Sequence, residues 1–217
     1  MCPVLQNFIQ RHLAAFGLVA GFVFAGSSVG SAQEPIQVVQ IVEHWELTLN
    51  SPDASTTAPQ ITLAFSPTAN LTGHYATFEL NHQASPVFAA GGAHFHVWKG
   101  EQCLGSRHHA EGAALNTTAE VIRWKQELQL ADGQLTFGIV DGTSATWGDF
   151  GGDAMRITVP TTLTSLNDYR PDFSVTQSGV GYAGGRVKRL AIVKITALTS
   201  TGQYVESDKL RIAHETK

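Results

Sequence analysis

Hydrophobic and polar residues alternate with a period of two along residues 39–49. Val39, Ile41, Trp45, Leu47 and Leu49 fall on one face, and His44, Glu46 and Thr48 on the other. Successive side chains of an extended chain point to opposite faces, so this spacing predicts a half-buried strand. Residues 122–139 predict a hairpin about Asp132-Gly133, a dipeptide that accepts the positive φ angles of a two-residue type I′ turn. That turn sets Leu130 opposite Leu135, Leu128 opposite Phe137 and Gln126 opposite Ile139, with Trp124 continuing the same face, which is the expected core. Further strands are expected at 60–65, 75–82, 93–99, 102–108, 155–159, 173–176, 187–198 and 203–206, bounded by Gly, Pro, Asp-Gly and Ser/Thr clusters. No helical period is sustained. About ten short strands are too many for one flat sheet, so the expected fold is all-β: two antiparallel sheets packed as a β-sandwich of jelly-roll type.

One apolar run breaks this pattern. Arg11 and His12 precede an apolar stretch from Leu13 to Ala25, and small residues follow to Ala32. This is the three-part layout of a secretory signal peptide, with cleavage expected after Ala32. The run is shorter than the roughly 20 residues needed to cross a bilayer, and no later segment approaches that length. The expectation is an exported chain, secreted, periplasmic or at the cell surface, with no membrane span and a single domain over residues 33–217.

Charge and cysteine content narrow the function classes. The 217 residues carry a net charge of −4, and removal of Arg11, the one formal charge in residues 1–32, takes it to −5. Nucleic acid is not expected as a partner, because phosphate binding needs a basic footprint. Cys2 leaves with the signal, so Cys103 is expected as the one thiol of the mature chain, either a buried hydrophobe or a site of pairing between chains. Stability is then expected from the core.

The candidate chemistry lies in residues 91–109, which hold His94, His96, His108 and His109. With Gly100-Glu101 at the turn, Trp98 lies opposite Cys103, His96 opposite Gly105 and His94 opposite Arg107. One face then carries Phe95, Val97 and Leu104, and the other carries His94, His96, Trp98, Cys103 and Arg107. The second face suits a sugar, since an indole stacks on the apolar side of a pyranose while His and Arg donate to hydroxyl or carboxylate oxygens. The same residues also make an ordinary polar sheet face with a tryptophan half-covered by a loop. A third reading is a divalent metal at His94 and His96, whose Cβ atoms stand about 7 Å apart on one face.

The spacing His94-x-His96-x₄-Glu101 resembles part of the first cupin motif. The leading and trailing glycines of that motif fall at Phe88 and His108, no second motif follows, and the ligand set lacks its third histidine. The Gly-rich stretch 141–153 offers Trp147 as a second stacking platform, and its carboxylates Asp141, Asp149 and Asp153 suit Ca²⁺. Its alternative is a wide connection whose aromatics fold back on the core. Residues 178–185 read as turns, because their glycines lack the strand-to-helix context that phosphate binding needs.

The hairpin at 127–140, Trp147-Gly-x-Phe-Gly-Gly, Leu166-Asn167-x-Tyr169 and Ser178-Gly-Val-Gly-Tyr-Ala-Gly follow one another before a final strand. In this order they resemble a group of secreted, functionally uncharacterised proteins of planctomycete-type bacteria, over most of residues 38–212. More distantly the layout is similar to concanavalin-like sandwiches, which include lectins, glucanases and polysaccharide lyases. Laminarinase-like glucanases carry Glu-x-Asp-x-(x)-Glu on one strand, and no such triplet is present; Glu43 and Glu46, three apart, face opposite ways. The Arg-x-Glu-Leu of one alginate-lyase family is matched only at Glu79-Leu80, with Thr77 in place of the arginine.

The expected function is a secreted, non-catalytic binding or surface-associated domain with a carbohydrate as ligand and no required cofactor. The alternatives are an extracellular polysaccharide hydrolase or lyase of the same fold class, and a structural cell-surface protein that binds no small molecule.

Overall fold

The alternation at residues 39–49 becomes β1 (Val38–Leu49), whose inward positions Ile41, Glu43, Trp45, Leu47 and Leu49 are all buried. The computed structural model describes residues 36–52, 59–81, 91–109, 115, 117–182 and 184–216. The chain divides into Met1–Pro35 and Ile36–Lys217, and the described residues belong to the second unit. The expected signal segment, residues 1–32, lies outside them. Among the described residues no helix is long and apolar enough to cross a membrane.

β1 is flanked by β6 (Glu120–Ala131) and β11 (Val187–Thr199), both antiparallel to it. The larger sheet continues on one side through β7 (Gln134–Ser144) to β8 (Gly148–Phe150) and β9 (Arg156–Pro160), and on the other to β12 (Tyr204–Ser207) and β13 (Arg211–Glu215). The smaller sheet is a sequential meander of β2 (Gln60–Phe65), β3 (His74–Leu80), β4 (Ala93–Lys99) and β5 (Gln102–His109). There β10 (Gly179–Tyr182) pairs with β2. Both sheets are antiparallel throughout.

One hydrophobic core joins the inner faces, making the molecule a two-sheet β-sandwich. Aromatic contacts bridge it. Phe65 of β2 meets Phe137 of β7 edge-on with ring centroids 5.7 Å apart, and Phe78 of β3 meets Trp124 of β6 at 5.9 Å. Trp124 in turn stacks on Trp45 at 6.2 Å.

The β6–β7 hairpin has the expected register, with Leu130 opposite Leu135, Leu128 opposite Phe137 and Gln126 opposite Ile139. Asp132 and Gly133 take φ of 51° and 70°, as a type I′ turn requires. Farther along, Lys125 pairs with Val140 but Arg123 with Thr143, so β7 carries a bulge at Asp141-Gly142. A Cβ on Gly142 would collide with the ring of Phe150, which folds over it. Gly142→Ala is therefore expected to cost about 1–3 kcal/mol through overpacking. Urea unfolding measures this as a lower midpoint at unchanged slope; a loss below about 0.5 kcal/mol would mean that Phe150 moves aside freely.

Two expectations are corrected. Residues 173–176 belong to a helix, α1 (Pro171–Thr176), rather than a strand. Pro171 presets the helical φ at the first turn and Asp172 complements the positive end of the helix, and these local signals outweigh the β-formers Phe173, Val175 and Thr176. Within the stretch read as turns, residues 179–182 form β10, with Gly179 opposite Thr62 and Val180 opposite Ile61. The strand β13 carries no sequence signal, because its positions are half-buried or exposed and have no clean apolar period.

Candidate functional site

The histidine-bearing hairpin keeps the expected pair of Trp98 with Cys103, but Val97 lies opposite Gly105, so Leu104 is an extra residue on β5. One inserted residue moves every later side chain to the other face. His96 therefore lies opposite Ser106 rather than Gly105, and His94 opposite His108 rather than Arg107. Arg107 falls opposite Phe95, exposed at the sheet edge, where its guanidinium donates to the Ser106 carbonyl at 2.9 Å. Leu104, expected in the core, is exposed.

The face that results runs in rows across the meander: Glu79–His94–His108, Thr77–His96–Ser106 and Tyr75–Trp98–Cys103. Trp98 is 7% exposed. Its ring stacks on Tyr75 with centroids 6.4 Å apart, and its indole N–H donates to Thr77 Oγ1 at 3.0 Å. His96 is buried, its ring 5.8 Å from Trp98 and 6.3 Å from His94, and His94 lies 6.0 Å from His108. At that burial the indole is a packed member of the face, not an open plate. Among the described residues no group of three or more His, Cys, Asp or Glu is disposed to hold a metal ion. Cys103 is half-buried and is not a free thiol.

Trp147 also packs inward. It is half-buried against the core, edge-on to Phe150 at 6.0 Å, as a lid over the core would be. Asp149 and Asp153 of the same stretch are exposed, and Asp141 is engaged elsewhere.

An open trough of about 510 Å³ lies on the outer face of the larger sheet. Across its floor Lys194 of β11, His44 of β1 and Lys125 of β6 stand directly side by side. Lys194 reaches this face through a bulge: His44 pairs with Lys194 but Trp45 pairs with Ile192, so the extra residue Val193 switches the strand's facing. Without it Lys194 would share the core face with Ile192.

The flanking strands add carboxylates, each with a cation. Lys125 Nζ lies 2.5 Å from Asp141, Lys194 Nζ 2.8 Å from Glu206 and Arg156 2.8 Å from Glu127, which also accepts from Gln40. Gly138 separates Glu127 from Arg156, and a Cβ there would stand 3.2 Å from the Arg156 stem, so the missing side chain is what lets Arg156 cross the strand. Tyr204, 71% exposed, forms part of the trough's lining. Burial, followed by the charges of Lys125 and Lys194, holds the His44 imidazole below its usual titration range.

Of these residues only Asp141 stands out in the sequence, as a carboxylate suited to Ca²⁺, and His44 is simply one of the polar positions of its strand. They are ordinary surface residues on separate strands, brought together by pairing.

A second polar cluster is closed. Glu43 points into the core at 1% exposure, where its carboxylate accepts from the Trp45 indole N–H and from the Tyr169 hydroxyl, each at 2.7 Å. Burial pushes the Glu43 carboxyl up, and burial together with Glu43 pushes the Tyr169 hydroxyl well up. Its place in the core makes this cluster a structural clasp between β1 and the 166–174 segment. No protein-family model matches this chain, and no curated protein matches it.

Proposed function

We propose that this chain is an exported, non-catalytic binding module, and that a carbohydrate lies along the trough on the outer face of the larger sheet. The observation that carries the reading is the trough itself: an open groove bearing an exposed tyrosine beside closely spaced donors and acceptors. Sugars take this combination, because an aromatic ring covers their apolar face while charged groups bond their hydroxyls. Export is supported by the layout of residues 11–32. The partner would be a free glycan or a glycan-bearing component of the cell surface.

A hydrolase needs one carboxyl free to give up a proton and a second to assist it. Glu127, Asp141 and Glu206 are each tied to a cation, which suits holding a ligand better than protonating one. A glycan array probed with the protein tests the reading. Tyr204→Ala is expected to weaken binding about tenfold, from the lost stacking, with the melting temperature unchanged because the ring buries little. An array without a single bound glycan would sink the proposal, as would full binding by Tyr204→Ala.

A further inference from the structure

We infer that the trough takes an anionic group of its ligand, a carboxylate or sulfate, at His44 between Lys125 and Lys194. This deepens the proposal above and rests on its reading of the trough as a glycan site. Both residues directly opposite His44 are lysines. Cβ atoms of directly paired residues stand about 5 Å apart, so one small ligand group at His44 lies within reach of both lysines. The row sets two ammonium groups on either side of an imidazole, and each has its carboxylate on the side away from His44, Asp141 for Lys125 and Glu206 for Lys194, so the side toward His44 is left to a ligand anion. An oxyanion centred on His44 meets all three donors at once.

The nearby acids do not fill that place. Glu46, two residues along β1, is held by Arg123 at 2.9 Å and Arg189 at 2.7 Å, and Glu127 is held by Arg156. Asp141 and Glu206 lie on the outward sides of the two lysines with side chains 67% and 53% exposed. Exposed ion pairs of this kind contribute little, so a ligand anion can displace them.

The site is also sensitive to pH. Burial, Lys125 and Lys194 oppose protonation of His44, and Glu206 and Asp141 favour it. A bound anion adds to the favouring side, so binding takes up a proton at His44. Affinity is then greatest at low pH and declines as pH rises through the titration of the bound state.

Two measurements on the purified protein test this. NMR titration of the His44 imidazole is expected to show its pKa rising in inorganic sulfate. Oligogalacturonate is expected to bind about tenfold tighter at pH 5.5 than at pH 7.5, while its methyl ester, uncharged on the same backbone, binds alike at both. In His44→Gln the acidic oligosaccharide should lose this pH dependence and the ester should be unaffected. Equal, pH-independent binding of acid and ester would overturn the anion site and leave the glycan reading standing. Sulfate shifting His44 while no array glycan binds would keep the anion site and overturn the glycan. A His44 titration indifferent to sulfate, with no preference for the acid, overturns the inference.

Discussion

Phe137→Ala is expected to lower the stability of the domain by about 3–5 kcal/mol. Phe137 is fully buried, lies opposite Leu128 within the hairpin and meets Phe65 of the facing sheet edge-on. Truncation removes that bridge and leaves a void at the centre of the sandwich. The strands around it are held in register by their ladders, so the walls cannot close in, and the cavity adds to the lost transfer energy. Domains of this size have about 5–15 kcal/mol in total, so a variant near the upper end would be largely unfolded at 37 °C. Chemical denaturation gives the value directly. A loss below about 1 kcal/mol would place the ring at the surface or the hairpin in another register.

Glu43→Ala is expected to cost a similar amount, about 3–5 kcal/mol, for a different reason. The carboxylate is the acceptor for both the Trp45 indole and the Tyr169 hydroxyl, and each buried donor left without a partner costs about 1–3 kcal/mol, to which the cavity adds. Glu43→Gln keeps the shape and tests the charge. Burial raises the Glu43 carboxyl above its ordinary value of 4.5, so the folded state binds that proton more tightly than the unfolded chain does. The contribution is fully present below pH 4.5 and is lost as pH rises through the folded value. The parent should therefore lose stability as pH rises from 4.5 toward neutrality, and Glu43→Gln should flatten that slope. A profile unchanged by Glu43→Gln would mean that the carboxyl titrates as if exposed.

Much of the fold is legible in the order of residues because the determining signals are local. The period of two along β1 names its buried face, and Asp132-Gly133 specifies a turn whose two-residue length fixes the pairing of β6 with β7. With the core faces known, two packed sheets follow from the need to bury them. The helix α1 also has a local cause, in Pro171 and Asp172 at its first turn.

The candidate site is another matter. Bulges at Leu104, Val193 and Asp141 each add one residue to one strand and reverse which side chains face out beyond it. The glycines beside two of these bulges, Gly105 and Gly142, permit a bulge without fixing it, and the packing of two sheets against each other decides. The first removes Arg107 from the side of His94, the second turns Lys194 outward beside His44, and the third goes with Asp141 lying against Lys125. Residues 44, 125, 156, 194 and 204 are scattered along the chain and share a surface only because β1 came to lie between β6 and β11. Local alternation therefore determined the sandwich and its core, whereas strand neighbours and single-residue bulges, which depend on contacts distant in sequence, decided which charges meet on its outer face.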